Sequence, residues 1–551
     1  MNNYFWFDRQ PLLAITFLKK LTIVVCVCLV ATLNFYASES VAQGKKFKSK
    51  QKITVELLEQ LEATIQGAMA TYSVPGTAIA IVERGEIVYA KGFGWRDLEN
   101  QQPVTPHTRF LLGSVTKSMT ATMIATLVDD GFLDWKQPVV EIWPDFTLPT
   151  DELTQQVQVR HLMQMATGLA EPVGLQNLYD IKVGNVSAEE QLQTLATLPV
   201  VADLGEIFYP NNNVFASASF IAALAYGTEY GDLYNGYKQL MQERLFDPIG
   251  MESTQILDLP PIDSDYAKGY AFNLITNRFE PLSYPNLPNI EGFAPDGFVF
   301  SNVMDISRYL MTQLKKGIAP DGNRVVSVQN LKKIQQPQTD ATNDLILSVA
   351  YPLAESIHYG TGWIIAEQPN GVKVIGHPGG MEGFVADMAF IPDTHIGIVT
   401  LTNLNYYHGF LSGPHFIGVV RDRLFELLYD LEPTVVQTQA QQYQQVMGQL
   451  AIPPELIQVN FTPETVAPFL GDYQKGWRLE LRDAGSLWLV LQDSFEYQLV
   501  LLPNGFFMIS NNGILGTTII LTMSETGMIL MTIVPVGAMS ANETDTVIKI
   551  N

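Results

Sequence analysis

The strongest constraint on this chain is the position of its β-forming runs. Thr77 to Val82 and Glu86 to Ala90 flank a turn at Arg84-Gly85, and the next such group, Gly362 to Ala366, Val372 to Ile375, Asp387 to Ile391 and Gly397 to Leu401, comes only after a long stretch of other character. Between them the apolar spacing from Phe110 to Leu240 is mainly helical, and Asp247 to Gly297 is dominated by Gly, Pro, Asp and Asn. The late runs are therefore expected to return to the early hairpin and complete its sheet, with helices laid on the faces. Val55, Leu58, Leu61, Ile65 and Met69 recur at three and four residue spacing and predict an amphipathic helix before the hairpin, ended by Val74-Pro75-Gly76. The expected class is α+β: an antiparallel β-sheet flanked by helices, with an all-helical subdomain.

The pattern changes near Leu431. Gln437 to Gln449 holds seven glutamines in thirteen residues, between Pro433 and Pro453-Pro454, and predicts a polar connecting helix or linker over 431–455. After it, Trp477 to Leu481 and Leu487 to Leu491 flank Asp483-Ala484-Gly485, and Tyr497 to Leu502, Phe506 to Ile509, Thr517 to Thr522 and Met528 to Ile533 are set apart by Gly, Pro and Asn. Regularly spaced short strands predict a second unit over 456–551, a small β-barrel or sandwich. The main domain then occupies 43–430 of the 551 residues, so the chain holds two folded units, within the two or three that its length suggests at about 150 residues per domain.

Arg9, Lys19 and Lys20, the apolar run Leu21 to Leu33 and the small residues Ser40-Val41-Ala42 have the layout of a secretory signal over 1–42, cleaved before Gln43. An uncleaved membrane anchor is the alternative, because a second apolar patch, Leu12 to Leu18, precedes the lysines. Either arrangement places the body outside the cytoplasm, in a periplasm or the medium. Cys26 and Cys28 both fall in the signal, so the mature chain is expected to have no thiol chemistry, disulfide or cysteine-ligated metal. A net charge of -23 argues against a nucleic-acid partner and against docking on an anionic membrane. No strand-like run of the C-terminal unit reaches the roughly 18 apolar residues of a membrane span.

Candidate chemistry begins at Ser114-Val115-Thr116-Lys117, which opens an apolar helix-like stretch (Met119, Met123, Ile124, Leu127, Val128) ending at Asp130-Gly131. In a first helical turn, a lysine three residues after a serine lies over the same face and can take its proton. An ordinary lysine, pKa about 10.4, is protonated near neutrality, so the site must lower it by roughly 3 units, a shift that apolar surroundings can supply. Ser49-Lys50-Gln51-Lys52 has the same spacing but sits in a basic tail without such surroundings. Phe208-Tyr209-Pro210-Asn211 puts a tyrosine and an amide on the loop before a helix-like run, Phe215 to Tyr226. Ile375-Gly376-His377-Pro378-Gly379-Gly380 follows a strand signal, and its glycines let a backbone N–H approach a substrate. Singly, each has a plain reading: Tyr209 as a turn residue, His377 as a surface loop histidine. His408 and His415 read as loop residues. The chain has no Gly-x-Ser-x-Gly elbow, no Gly-x4-Gly-Lys-Ser/Thr phosphate loop and no His-Glu-x-x-His, so neither metal nor cofactor is expected.

In this order, Ser-x-x-Lys, Tyr-x-Asn and His-x-Gly resemble the motifs of the serine β-lactamase and penicillin-binding-protein superfamily, specifically its class C β-lactamase-related hydrolases. Val74-Pro75-Gly76, Lys91-Gly92-Phe93-Gly94, Val159-Arg160-His161-Leu162, Ala166-Thr167-Gly168-Leu169, Pro295-Asp296-Gly297, Tyr359-Gly360-Thr361-Gly362-Trp363 and Gly383-Phe384 look like its landmarks, over about Val55 to Leu428. The resemblance implies acyl transfer through an acyl-enzyme on Ser114, with Lys117 as the activating base and Tyr209 sharing proton transfer. It also implies Asn211 in contact with the substrate amide or carbonyl, and His377 and Gly379 at the substrate. The backbone N–H groups of Ser114 and Gly380 would form an oxyanion hole, each donor worth on the order of 3 kcal/mol.

Two departures bear on substrate. His377 stands where β-lactamases of this type have lysine, which removes a fixed positive charge for a substrate carboxylate; a histidine of ordinary pKa, about 6.5, supplies it only partly at neutral pH. Pro210 inside Tyr-x-Asn stiffens that loop. A small-molecule or peptide substrate is expected, with D-amino-acid peptides or esters ahead of β-lactams. The competing readings are a β-lactamase or penicillin-binding activity, and a non-catalytic binding or scaffold protein that retains the fold. Leu470-Gly471-Asp472-Tyr473 resembles the start of barrel-like appendages on some members.

Overall fold

A computed structural model describes residues 52–170, 186–256, 264–273, 278–282, 291–381, 383–404, 412–450, 460–482, 485–491, 495–501, 507–509, 518–523, 528–534 and 545–550. The expected signal segment, with Cys26 and Cys28, and His408 lie outside the described residues.

The main body starts with helix α1 (Val55–Tyr72), capped by Thr54, whose hydroxyl accepts the Leu57 N–H at 3.2 Å. Its buried stripe is Leu57, Leu61, Ile65, Ala68 and Tyr72, whereas Val55 is 74% exposed. The predicted face is therefore turned: Leu61 and Ile65 centre it, Leu58 and Met69 only flank the core.

The hairpin β1 (Gly76–Glu83) and β2 (Glu86–Asp97) follows, then β3 (Gln102–Pro103), β4 (Phe110–Leu111), helix α2 (Val115–Asp129) and helix α3 (Asn212–Tyr226). Next come β5 (Gln255–Ile256), the hairpin β6 (Tyr270–Asn273) and β7 (Arg278–Pro281), the short helix α4 (Ala294–Gly297), β8 (Val299–Ser301) and helix α5 (Val303–Leu314). The late group is β9 (Thr339–Asp340), β10 (Ser356–Tyr359), β11 (Ile364–Glu367), β12 (Lys373–Met381), β13 (Phe384–Ile391) and β14 (Ile396–Thr402), followed by helices α6 (Ser412–Tyr429) and α7 (Val435–Leu450).

The late strands return to the hairpin as expected. β14 pairs antiparallel with β1, Thr402 opposite Thr77, and the nine strands run in the order β3-β2-β1-β14-β13-β12-β11-β10-β9. β13 and β14 are buried throughout and β1 nearly so, which accounts for their largely unbroken apolar composition. Alternation along β13 assigns the faces: Asp387 reaches Arg421 of α6, while Phe390 meets Trp363, which stacks on Tyr309 of α5. α2 packs against β12 on the α5 side, and α6 pairs with α1 on the other. The expected helical subdomain is α2, α3 and short helices such as Val159–Met163, Ala188–Thr194 and Leu233–Met241. The β4-β8-β5 sheet and the β6–β7 hairpin were not anticipated, since strands of two to four residues carry no periodic signal.

α7 covers the Gln-rich run and packs on the main body. Val435 and Gln439 are buried, Tyr443 meets Tyr72 of α1 edge-on at 5.0 Å, and Gln439 bonds His415 of α6. His415 is thus a buried helical residue rather than a loop one, and burial pushes its pKa down to about 4.

The C-terminal unit is a meander of β15 (Gly471–Tyr473), β16 (Trp477–Arg482), β17 (Ser486–Leu491), β18 (Phe495–Leu501), β19 (Phe507–Ile509), β20 (Thr518–Met523), β21 (Ile529–Val534) and β22 (Asp545–Ile548). A bridge between Tyr473 and Lys549, with the Ile550 N–H donating to the Asp472 carbonyl at 2.7 Å, joins last strand to first. The expected barrel or sandwich is therefore a closed barrel around its own core, which includes Phe461, Trp477, Leu489, Tyr497 and Met531.

Candidate active site

Ser114 stands at the N-cap of α2 without capping it. Its backbone is helical (φ -64°, ψ -4°) and its hydroxyl bonds none of the first-turn N–H groups, unlike the extended serine usual there. Gly113, at φ +54°, makes the preceding turn possible, and the backbone closes the first turn itself: Thr116 N–H donates to the Gly113 carbonyl and Lys117 N–H to the Ser114 carbonyl, both at 3.0 Å. The hydroxyl is left over for other work. Ser114 is only partly buried, whereas Val115 through Leu127 are buried.

Lys117 lies one turn on, 2% exposed. Its Nζ donates to Ser114 Oγ at 2.9 Å and to the Asp296 carbonyl at 3.1 Å, and lies 5.6 Å from the Phe215 ring centre. Lys117 is thus buried between Phe215 and α4, which carries the buried Asp296; the sequence reading foresaw neither part. α4 is held in place by Thr120, whose hydroxyl donates to the Pro295 carbonyl at 2.8 Å. Pro295-Asp296-Gly297, only a landmark in the sequence, thereby supplies an acceptor to the lysine.

The His-Pro-Gly-Gly segment lies inside β12 rather than after a strand: His377 pairs with Met388, Gly379 with Ala386 and Gly380 with Val385. A methyl group on Gly379 would drive into the Leu112 carbonyl and lie 2.9 Å from the nitrogens of Ser114 and Val115. One on Gly113 would lie 2.5 Å from the Gly380 nitrogen. Glycine at both positions lets the segments carrying the Ser114 and Gly380 amides touch.

His377 is 6% exposed, not a surface loop residue. Its Nδ1 is 2.6 Å from the Pro378 carbonyl, which can only accept, so Nδ1 carries the proton and Nε2 accepts from the Tyr359 hydroxyl at 3.3 Å. Burial first, and then the Lys117 charge, push its pKa down to about 3. The ring is therefore neutral at pH 7, where an ordinary histidine would be partly charged. Tyr359 is itself buried, which holds its pKa above the ordinary phenol value and keeps it a donor.

Tyr209 and Asn211 lie on the segment leading into α3. Tyr209 is partly buried and its N–H donates to the Met165 carbonyl at 2.8 Å. The segment is bracketed by Phe208, 5.5 Å from the Tyr359 ring, and by Phe215 near Lys117. Asn211 is the N-cap of α3: Oδ1 accepts from the Val214 N–H at 3.0 Å and Nδ2 donates to the Leu169 carbonyl at 2.9 Å. At 1% exposed, it also ties α3 to residues 165–170. Another surface groove, about 510 Å³ and lined by His107, Glu252, Asp305 and Arg308, contains none of the site residues. Among the described residues, no group of His, Cys, Asp and Glu is arranged to hold a metal ion.

A buried lysine bonded to a serine at a helix start, against a glycine-bearing strand of an antiparallel sheet, defines the class. The chain belongs to the Beta-lactamase family, whose model matches residues 61–420. It is 27% identical over 368 residues to the unguisins hydrolase ungD of Aspergillus violaceofuscus, covering 63% of this chain and 62% of that one. It thus spans under two thirds of that relative's length. It is 26% identical over 362 residues to the Beta-lactamase of Escherichia coli, covering 62% of this chain and 88% of the relative. The octameric penicillin-binding protein homologue from Pyrococcus abyssi shares the fold, with TM-score 0.54 at 23% identity over 89% of this chain and 100% of that one.

Proposed function

We propose that this protein hydrolyses a peptide amide or an ester through an acyl-enzyme on Ser114. The observation that carries the reading is the 2.9 Å contact between Lys117 Nζ and Ser114 Oγ in a buried setting. With the amine neutral, that hydrogen bond runs from hydroxyl to nitrogen. Ser114 Oγ attacks the substrate carbonyl carbon as its proton passes to Lys117, and the oxyanion forms against the N–H groups of Ser114 and Gly380. Collapse breaks the C–N or C–O bond as the Tyr209 hydroxyl gives its proton to the leaving group, leaving a phenolate. Water then attacks the acyl carbon and gives a proton to that phenolate, and Lys117 returns its proton to Ser114 Oγ as the acid is released.

The neutral His377 supports a substrate with no carboxylate to be held at that point, which favours peptides and esters over β-lactams. Similarity to a protein named as an unguisins hydrolase supports the peptide. The test is acylation and turnover by the full chain on an activated ester, D-amino-acid peptides and β-lactams, with the Ser114 adduct read by mass spectrometry. Ser114→Ala should lose turnover while melting within a degree or two of the parent, and Lys117→Ala should form no adduct. An active Ser114→Ala variant would sink the nucleophile assignment, and normal acylation of Lys117→Ala would remove lysine as the base.

A further inference from the structure

The backbone N–H groups available in Tyr209-Pro210-Asn211 both end on one residue. The Tyr209 N–H donates to the Met165 carbonyl at 2.8 Å, Pro210 has no N–H, and the Asn211 N–H donates to the Met165 thioether sulfur at 3.3 Å. Met165 is 5% exposed, so water does not compete for these contacts. It also holds a left-handed backbone, φ +53°, a region that non-glycine residues rarely occupy and keep only where their surroundings fix it. That turn is what sends its carbonyl and its side chain to the same three-residue segment.

The neighbouring bonds do a different job. Gly205 N–H donates to the Ala166 carbonyl at 2.7 Å, Val201 N–H to Gly168 at 2.8 Å, and Ala170 N–H to Pro199 at 2.8 Å. They fix the loop ahead of the motif, while Met165 fixes the motif itself. Asn211 then continues the link through its side chain to the Leu169 carbonyl and the start of α3.

We propose that Met165 is a positioning residue for Tyr209: its carbonyl and thioether set the pitch of the turn that presents the phenol to the acyl-enzyme. The proposal rests on the reading of Tyr209 as a proton-transfer group. A thioether is a weak acceptor on an unbranched, flexible side chain, a contact that an amide oxygen of similar reach replaces and a hydrocarbon does not. Leucine at 165 therefore removes the acceptor with little change in volume, and glutamine restores one.

Met165→Leu, Met165→Gln and Tyr209→Phe are compared with the parent on an activated ester, measuring the acylation burst, steady-state kcat, KM and the melting temperature. Tyr209→Phe and Met165→Leu should keep the burst and lose steady turnover, Met165→Leu by about tenfold with KM within about twofold, as expected for a misplaced catalytic group. Met165→Gln should recover most of the lost kcat. Parental kcat in Met165→Leu, or equal impairment in Met165→Gln and Met165→Leu, overturns the positioning role while a slow Tyr209→Phe leaves the tyrosine reading standing. Parental turnover in Tyr209→Phe overturns the tyrosine reading, and this proposal with it.

Discussion

Gly379→Ala asks whether the contact between β12 and the start of α2 builds the oxyanion site. The added methyl would meet backbone alone: the Leu112 carbonyl in hard overlap, and the Ser114 and Val115 nitrogens at 2.9 Å, where ordinary contact begins near 3.4 Å. No side-chain rotation relieves this, so β12 must withdraw from α2 by about 0.5 Å to clear the nitrogens, and further to clear the carbonyl. Gly380 occupies the next position of the strand, so its N–H moves by a like distance relative to that of Ser114. A misplacement of about 1 Å costs about 100-fold in rate, and removing one oxyanion donor costs roughly 3 kcal/mol, so both routes predict a fall of about two orders of magnitude in kcat. Overpacking should lower stability by about 1–3 kcal/mol and leave the chain folded. The assay is single-turnover acylation and deacylation of an activated ester, with urea unfolding in parallel. Both phases should slow, because each passes through a tetrahedral oxyanion. Unchanged rates beside a lowered urea midpoint would refute the reasoning, since the glycine would then serve packing alone.

Two further outcomes concern stability. Arg421→Met should cost about 3–5 kcal/mol in urea unfolding, because the guanidinium between Asp387 and Asp422 is 3% exposed and its loss leaves two buried carboxylates uncompensated; a cost below about 1 kcal/mol would contradict a charged pair. Adding Asp387→Asn should recover part of that loss, since burial already pushes Asp387 up to about 6. His377 and His415, pushed down by burial to about 3 and 4, stay neutral in the folded chain while unfolded imidazole protonates near 6.5. Their effect is absent above that pH and grows as pH falls below it, each tending to a slope of about 1.4 kcal/mol per unit. Urea midpoints at pH 7.5, 6 and 5 should therefore fall less steeply in His415→Phe than in the parent, and parallel lines would discount His415 as a contributor.

The sheet and the serine–lysine pair were legible because their signals are local. Thr77 to Val82 and Gly397 to Leu401 read as strands from composition alone, and Ser114 and Lys117 share a face through the helical repeat. What escaped the reading depends on partners far along the chain. The Gln-rich run read only as a polar connecting helix, and its packing shows once His415, with Tyr72 and Tyr443, supplies the setting of Gln439. β15 and β22 have no strand pattern of their own and exist because they close the barrel on each other. Asn211 had the right residue type for a substrate contact, and only the position of the Leu169 carbonyl and the Val214 N–H shows that it also caps α3.

His377 brings these points together at the chemistry. A fixed cation at this position would serve a substrate carboxylate and would also disfavour a second charge on Lys117. The same coupling is visible from the other side, where the Lys117 charge helps to push His377 down to about 3. A neutral imidazole, held by Tyr359 and Pro378, does neither job. On the proposed mechanism, the base role of Lys117 then rests on its own burial and on Phe215. On that mechanism, histidine at 377 bears on more than substrate preference: control of the proposed nucleophile lies in the packing of α2, α3 and α4 rather than in a charge on β12.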